Sequence, residues 1–258
     1  MSLIAERKIL LCDTRQQADK HRLKNKWFAE NGIMVNRCAL VCGDYQLAGD
    51  GHIAVDSKQG CAEVINDIQV KTITKAAVGD AVREICDRYN IGDGFDKEMY
   101  HVITDDDSNR YPEAQIMDLC VLRGLPDEAS KRFQELYVKR HGFFHRGLIR
   151  AKQYGVKLYI LVEEPGIHSI RDVFRWRNPR LDIYVRGREI IGINRNGSPK
   201  YKRVQKYPNA CTGSQLAKAM NTIEKKYAPV EFVFCDPKDA GRMIMKILEG
   251  RYEEEGAS

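Results

Sequence analysis

The stretch VKLYILVEE, residues 156–164, constrains the fold of this chain more than any other segment. Apart from Lys157, every residue from Val156 to Val162 is aliphatic or aromatic, so a strand here would be buried on both faces, as in a parallel sheet. The stretches RKILLCD (7–13) and VEFVFC (230–235) have the same character, and helical patterns separate the three. This alternation predicts an α/β fold with a mainly parallel sheet and one antiparallel hairpin.

The helices are predicted from apolar residues spaced three and four apart. The predicted helices cover residues 17–31, 61–68, 129–154, 213–227 and 237–249. In the first of them Leu23, Trp27 and Phe28 are expected to face the core. The longest, 129–154, is expected to bend near Gly142.

Residues 70–127 interrupt the α/β order as an inserted segment. Within it we expect a helix near 76–89, a short strand near 99–104 and a helix that starts at Pro112. The 258 residues are therefore expected to form a single domain, 1–258, with an insertion at 70–127.

Composition excludes several classes of protein. The eight cysteines include no C-x-x-C pair, which favours reduced core thiols over a disulfide framework or a zinc site. The apolar runs are too short to cross a bilayer, and the charged residues Glu6, Arg7 and Lys8 interrupt any cleavable signal pattern. We therefore expect a cytoplasmic protein with no membrane partner.

Positive charge is concentrated in one part of the chain. Residues 171–206 contain eleven Lys and Arg against three Asp and Glu, a net charge of +8, whereas the remaining residues carry −2. Aromatic residues lie among these cations, in a segment (166–212) predicted to form a short helix and a hairpin that turns at Asn196-Gly197. This pattern is typical of a surface that binds DNA. The alternative is a solvated surface on which Lys and Arg stems cover apolar neighbours. The predicted DNA-binding residues are Arg175, Trp176, Arg177, Arg180, Lys200, Lys202 and Arg203.

A second predicted hairpin, GDYQLAGDGHIAVDSK (43–58), carries two carboxylates and a lysine. With a three-residue loop at 49–51, Tyr45 faces Val55 and Leu47 faces Ile53 on an apolar face. On the other face Asp44 lies opposite Asp56, and Lys58 lies on the same side as Asp56. One interpretation is an exposed polar face with a loose Asp–Lys pair, which would contribute little.

The other interpretation is a metal site. Two opposed carboxylates repel each other, and a divalent cation between them would relieve that repulsion. Asp13, at the end of the first strand, and Glu163, at the end of a later one, fall where α/β sheets place their sites. Asp13 also fits the alternative role of a helix N-cap.

The order of these short motifs resembles that of a known nuclease family. CDTRQ (12–16), GDY (43–45), VDSK (55–58) and LYILVEE (158–164) are similar to motifs of the XPF-type structure-specific endonucleases, which belong to the PD-(D/E)XK superfamily. The positions that match are Asp13, Arg15, Asp44, Asp56 and Lys58. The chain departs from the family at three positions within these motifs, with Gln16 and Asp56 in place of glutamate and Ser57 in place of arginine. The acid that the family has in the next helix corresponds to Glu63, which lies one position later in this chain.

The resemblance implies a restriction-endonuclease-like mixed central sheet flanked by helices. It also implies Mg²⁺ or Mn²⁺ held by Asp44, Asp56 and Asp13, with Glu63 as a further acid. Lys58 would orient a water molecule or the scissile phosphate, and Arg15 would contact a neighbouring phosphate. The implied substrate is DNA that is branched, flapped or partly single-stranded, as in DNA repair and recombination.

Two other functions remain open. The departures at Gln16 and Ser57 fit a degenerate nuclease that binds DNA junctions without cutting them. The insertion at 70–127 fits an accessory protein that docks on a partner nuclease. The XPF-type endonucleases usually dimerise through a paired helix-hairpin-helix, and we see no such motif after the nuclease-like part of this sequence. Whether the chain forms a homodimer or binds a partner protein therefore stays open.

Overall fold

A six-stranded mixed sheet forms the centre of the computed structural model, which describes residues 8–16, 21–69, 72–92, 94–105 and 112–252. The strands are β1 (Ile9–Asp13), β2 (Met34–Cys38), β3 (Tyr45–Leu47), β4 (Asp50–Lys58), β5 (Lys157–Glu163), β6 (Tyr184–Ile193), β7 (Pro199–Gln205) and β8 (Val230–Cys235). The central sheet has the order β2-β1-β3-β4-β5-β8, and β6 and β7 form a separate antiparallel hairpin. In the central sheet only β3 runs antiparallel to its neighbours, so the carboxyl ends of β1, β4 and β5 share one edge.

Helices cover both faces of this sheet. They are α1 (Arg22–Glu30), α2 (Cys61–Ile68), α3 (Lys75–Arg88), α4 (Phe95–Thr104), α5 (Pro112–Leu122), α6 (Asp127–Tyr154), α7 (Ile170–Val173), α8 (Gly213–Lys226) and α9 (Ala240–Leu248). Helices α1 and α9 pack on one face, and α2, α8 and the second half of α6 pack on the other. The predicted α/β class, with helices on both faces of a mixed sheet, is confirmed.

Alternation along β5 distributes its side chains between two cores. Leu158, Ile160 and Val162 pack against α2, α6 and α8, whereas Tyr159 and Leu161 pack against α1 and α9. The strand is therefore buried on both faces, as its sequence predicts. Each such aliphatic side chain stabilises the fold by about 1.5–3 kcal/mol relative to an exposed one.

The first helix differs from its prediction at the residues that face the core. Leu23 is 59% exposed, whereas Lys24 is 2% exposed and Phe28 is buried. The inward placement of Leu23 is therefore wrong, because a buried acid on β5 pairs with Lys24 and turns this side of the helix inward. The predicted start of the helix, at residues 17–20, lies outside the described residues.

The predicted insertion supplies α3, α4 and α5, which pack with the first half of α6, and we call these four elements the helical cluster. Its core contains Phe95, Met99, Ile103, Ile116 and Phe133. The predicted strand near 99–104 is wrong, since this stretch is the end of α4. Phe95, Met99 and Ile103 recur every four residues, which is the spacing of one helix face rather than of a strand.

Helix α6 belongs to both cores and bends between them. The bend is at Gly142, whose φ of 65° and ψ of 172° are not helical, so the predicted bend is confirmed. Before it, Phe133 packs in the helical cluster, and after it Phe144 and Leu148 pack against the sheet.

Two further predictions from composition can be compared with the structure. All eight cysteines are free, and six of them are buried, as expected for reduced core thiols. Within the described ranges, none of the helices combines the length and the apolarity needed to cross a membrane.

Candidate functional site

A small cavity of about 130 Å³ lies beside the carboxyl ends of β1 and β4. The side chains that line it include Asp13, Arg15, Asp44, Asp56, Phe143 and Arg150. Four of these six are predicted site residues, and they come from three separate segments of the chain. The structure therefore brings the three predicted aspartates to one place.

The hairpin that carries Asp44 and Asp56 has the predicted register at its acidic end, but the register shifts between Tyr45 and Leu47. Tyr45 faces Val55 as predicted, but Leu47 faces Asp50 and not Ile53. The predicted pair Leu47–Ile53 is wrong, because β4 begins at Asp50 and the chain turns earlier than a loop at 49–51 would allow. The error stays at the turn, so the end of the hairpin with the acids keeps its register.

Close backbone contact places Asp44 beside Asp56. The backbone N–H of Asp44 donates to the carbonyl of Val55 at 2.7 Å. Gly43 has a φ of +72°, and a Cβ at this position would lie 3.0 Å from the Val55 oxygen. Glycine is therefore needed before Asp44, both for the backbone angle and for the close approach.

Both carboxyl groups are held where their charge is unfavourable. Burial raises the pKa of Asp44, even though the N–H and hydroxyl of Ser57 donate to its Oδ2 at 2.9 and 3.0 Å. Burial likewise raises the pKa of Asp56 to about 6, a shift that Lys58 opposes and the nearby Asp44 increases. A cation between the two groups would relieve both effects.

Lys58 lies on the same side of β4 as Asp56, as alternation predicts. Its Nζ is 3.0 Å from Asp56 Oδ1 and 2.8 Å from Asp67 Oδ2, and 5.2 Å from the centre of the Phe144 ring. Burial acts to lower the pKa of Lys58, but the two carboxylates outweigh it and raise that pKa, so the lysine is charged at neutral pH. The ammonium group is thus fixed next to the acid pair.

The acid of α2 that reaches Lys58 is Asp67, which sequence reasoning missed. The predicted acid, Glu63, instead accepts a hydrogen bond from the Gln59 N–H at 2.6 Å, at the start of the helix. The two acids are four residues apart on one helix face, so helical spacing alone does not distinguish them.

Asp13 has a different set of contacts from the other two aspartates. Its oxygens accept from the Arg15 N–H at 2.8 Å, from Arg15 Nε and Nη2 at 2.7 and 2.6 Å, and from the Leu40 N–H at 3.0 Å. Burial acts to raise its pKa, but these donors outweigh it and lower the pKa. Asp13 therefore holds Arg15 in a fixed fork at the rim of the cavity.

A buried ion pair supports Asp44 from the opposite face of the sheet, and the sequence did not predict it. The Nζ of Lys24 bonds to Glu163 Oε1, and it donates to the Ser57 hydroxyl at 3.2 Å. That hydroxyl donates in turn to Asp44. The position of Asp44 Oδ2 is therefore fixed by a polar network formed by Lys24, Ser57 and Glu163.

Arg150 lines the cavity, and sequence reasoning missed it. Within the described part of the chain, its Nε is buried without a hydrogen-bond partner. Phe143, Gly147 and Arg150 recur at helical spacing along α6, and all three line the cavity. That spacing is the one signal in the sequence that could have indicated Arg150.

The predicted DNA-binding residues before the β6–β7 hairpin are divided among different environments. Arg175 is exposed, whereas Trp176 is half-buried against the core beside α8. Arg177 makes a two-pronged contact with Asp182, its Nε lying 2.9 Å from Oδ2, and Arg180 donates to Asn66 at 3.4 Å.

The β6–β7 hairpin carries the remaining predicted cations. Lys200 and Arg203 are exposed, and Lys202 pairs with Glu189 at 2.9 Å. The prediction left out Arg186, whose guanidinium lies 3.4 Å from the centre of the Tyr201 ring. Because Arg186 faces Arg203 across the two strands, the hairpin presents cations together with an aromatic ring.

Comparison of the chain with models of known protein families, with curated proteins and with solved structures found no match.

Proposed function

We propose that this chain is a metal-dependent DNA endonuclease, of restriction-endonuclease-like fold and XPF type, that hydrolyses phosphodiester bonds in branched or flapped DNA. The observation that carries the proposal is that Asp44 and Asp56 line one cavity, with the Nζ of Lys58 3.0 Å from Asp56 Oδ1. The mixed sheet supports it as well, because the antiparallel strand β3 brings Asp44 next to the strand that holds the other two residues.

The donor set fits a hard divalent cation. Asp44 and Asp56 are adjacent carboxylates with raised pKa values, and oxygen ligands are those that Mg²⁺ and Mn²⁺ prefer. Both oxygens of Asp13 already accept hydrogen bonds, and no group of three or more metal-binding side chains is found in the described ranges. We therefore assign the ion to Asp44 and Asp56, with Asp13 acting through Arg15. When bound, the ion supplies Lewis-acid polarisation of the phosphate and neutralises its charge.

The cationic side chains in the cavity and beside its acids would bind and orient the phosphate. Lys58 is held by two acids, so its ammonium group has a fixed position from which to orient a water molecule or a phosphate oxygen. Arg15 is fixed by Asp13, and Arg150 has donor capacity that the described residues do not use. Both guanidinium groups are suited to non-bridging phosphate oxygens.

Cleavage of defined DNA structures tests the proposal. The protein is incubated with labelled flap, fork, four-way and plain duplex DNA in Mg²⁺, in Mn²⁺ and in EDTA. We expect cleavage with either ion, faster on the branched substrates than on the duplex, and none in EDTA. Cleavage in EDTA would contradict metal dependence, and equal rates on all four substrates would contradict structure selectivity.

The hairpin is expected to provide affinity for the DNA backbone. Replacing Arg186 and Arg203 by glutamate should weaken DNA binding at least tenfold and reduce the slope of log affinity against log salt by about two, since two phosphate contacts are lost. The matched control is Arg83→Glu with Arg88→Glu, which makes the same charge change on α3 of the helical cluster. Equal losses in both double variants would mean that net charge, not the hairpin, determines binding.

One observation favours a second function, a junction-binding protein that does not cut. Both oxygens of Asp13 accept hydrogen bonds from Arg15 or Leu40, and the charged Lys58 already forms ion pairs with two acids. Structure-selective binding without cleavage in either metal would support this function and reject the enzyme.

A further inference from the structure

An aromatic side chain is held at the mouth of the cavity by the bend in α6. Gly142 leaves the helical conformation, and the next two residues then point in different directions. Both line the cavity, but Phe144 is buried and contacts Lys58, whereas Phe143 is 57% exposed. Exposed phenylalanines are common on protein surfaces, so a functional role for Phe143 has to be argued from the residues around it.

Two arginines flank the Phe143 ring, and both are fixed by acids. The guanidinium carbon of Arg15 lies 5.2 Å from the ring centre and that of Arg146 lies 5.9 Å from it. Asp13 holds Arg15, and Glu113 of α5 holds Arg146 at 3.2 Å. Aromatic rings and guanidinium planes are the two protein surfaces on which unpaired nucleic-acid bases stack.

The cavity is too small to enclose a nucleic-acid base. At about 130 Å³ it is well below the roughly 300–1,000 Å³ of pockets that enclose a small organic ligand. A phosphate group can approach the aspartates, but the base attached to the same strand has to remain at the rim. Phe143 lies at that rim.

We propose that Phe143, with Arg15 and Arg146 beside it, forms a stacking platform for an unpaired base of the DNA strand whose phosphate enters the cavity. The inference rests on the proposed nuclease function. It adds the structural feature by which the enzyme would prefer single-stranded or splayed DNA over paired duplex. In paired duplex the base is stacked within the helix and does not reach the ring.

Binding in EDTA tests the platform separately from cleavage. The probes are a single-stranded oligonucleotide and a flap substrate, each with 2-aminopurine in the unpaired region, and a plain duplex. The Phe143→Ala variant should bind the single strand about 5- to 100-fold more weakly, which is the loss expected for one base–aromatic stack. The change in 2-aminopurine fluorescence on binding should also be lost, duplex affinity should be unchanged, and Phe143→Trp should restore both signals.

The control variant is Leu122→Ala, which removes an apolar side chain that is 81% exposed on α5, and we expect it to bind like the wild type. The platform is rejected if Phe143→Ala retains the affinity and the fluorescence change of a wild type that binds and cleaves DNA. If the wild type neither binds nor cleaves any of the DNA structures, the proposed function fails, and the platform fails with it.

Discussion

Replacing Lys58 by alanine or Asp44 by asparagine is expected to reduce the rate of DNA cleavage about 100- to 10,000-fold, the range typical of a lost catalytic group. Asparagine at 44 can still accept from the N–H of Ser57, so the backbone around the site should be kept while the negative charge is lost. Lys58→Ala removes the cation between Asp56 and Asp67 and leaves both acids without it. Single-turnover cleavage of the flap substrate, with melting temperature measured in parallel, separates loss of chemistry from loss of folding.

Asp50→Asn is the matched control for this prediction. Asp50 belongs to the same hairpin but lies at its turn, where its Oδ1 accepts from the His52 N–H. We expect this variant to cleave at the wild-type rate. Cleavage that survives in both Asp44→Asn and Lys58→Ala would place the catalytic site elsewhere in the molecule.

The largest effect on stability is expected from Lys24→Met. This change leaves Glu163 buried without its cation, and removal of one partner of a buried pair typically costs about 3–5 kcal/mol of unfolding free energy. Urea denaturation at neutral pH measures the loss. Because Lys24 also donates to Ser57, the variant should cleave DNA more slowly than the wild type even at temperatures at which it is still folded.

Lys26→Met provides the comparison for Lys24→Met on the same helix. Lys26 is exposed and lies 3.6 Å from Glu30, a surface pair that contributes at most about 1 kcal/mol. Adding Glu163→Leu to Lys24→Met should restore part of the stability, because no unpaired charge then remains buried. If Lys24→Met and Lys26→Met lower the unfolding free energy equally, the buried pair contributes no more to stability than the surface pair does.

The sequence indicates which acids of the candidate site lie together better than it indicates the residues that hold them in place. Asp13, Asp44 and Asp56 could be placed together because strand ends and hairpin register follow from local patterns. Lys24 pairs with Glu163, a residue 139 positions away, and no local pattern reports such a contact. A lysine beside apolar residues on a helix is normally solvent-exposed, and helical spacing with Trp27 and Phe28 points to Leu23 as the inward residue.

Errors in the predicted elements have local causes as well. The register of the acidic hairpin failed only at its turn, where Gly49 adopts a φ of 86° that pattern counting does not reveal. The stretch 99–104 contains a short apolar run, and such runs do not separate strand from helix without their flanking residues.

The bend at Gly142 has a consequence for how the molecule loses its structure. The two halves of α6, joined at this bend, supply Phe133 to the core of the helical cluster and Phe144 to the core under the sheet. Arg146, beside the cavity, is also tied to Glu113 of the cluster. Melting of the cluster would therefore remove support from one wall of the cavity, and the inserted segment and the acid site should lose their protection against hydrogen exchange as a single cooperative unit.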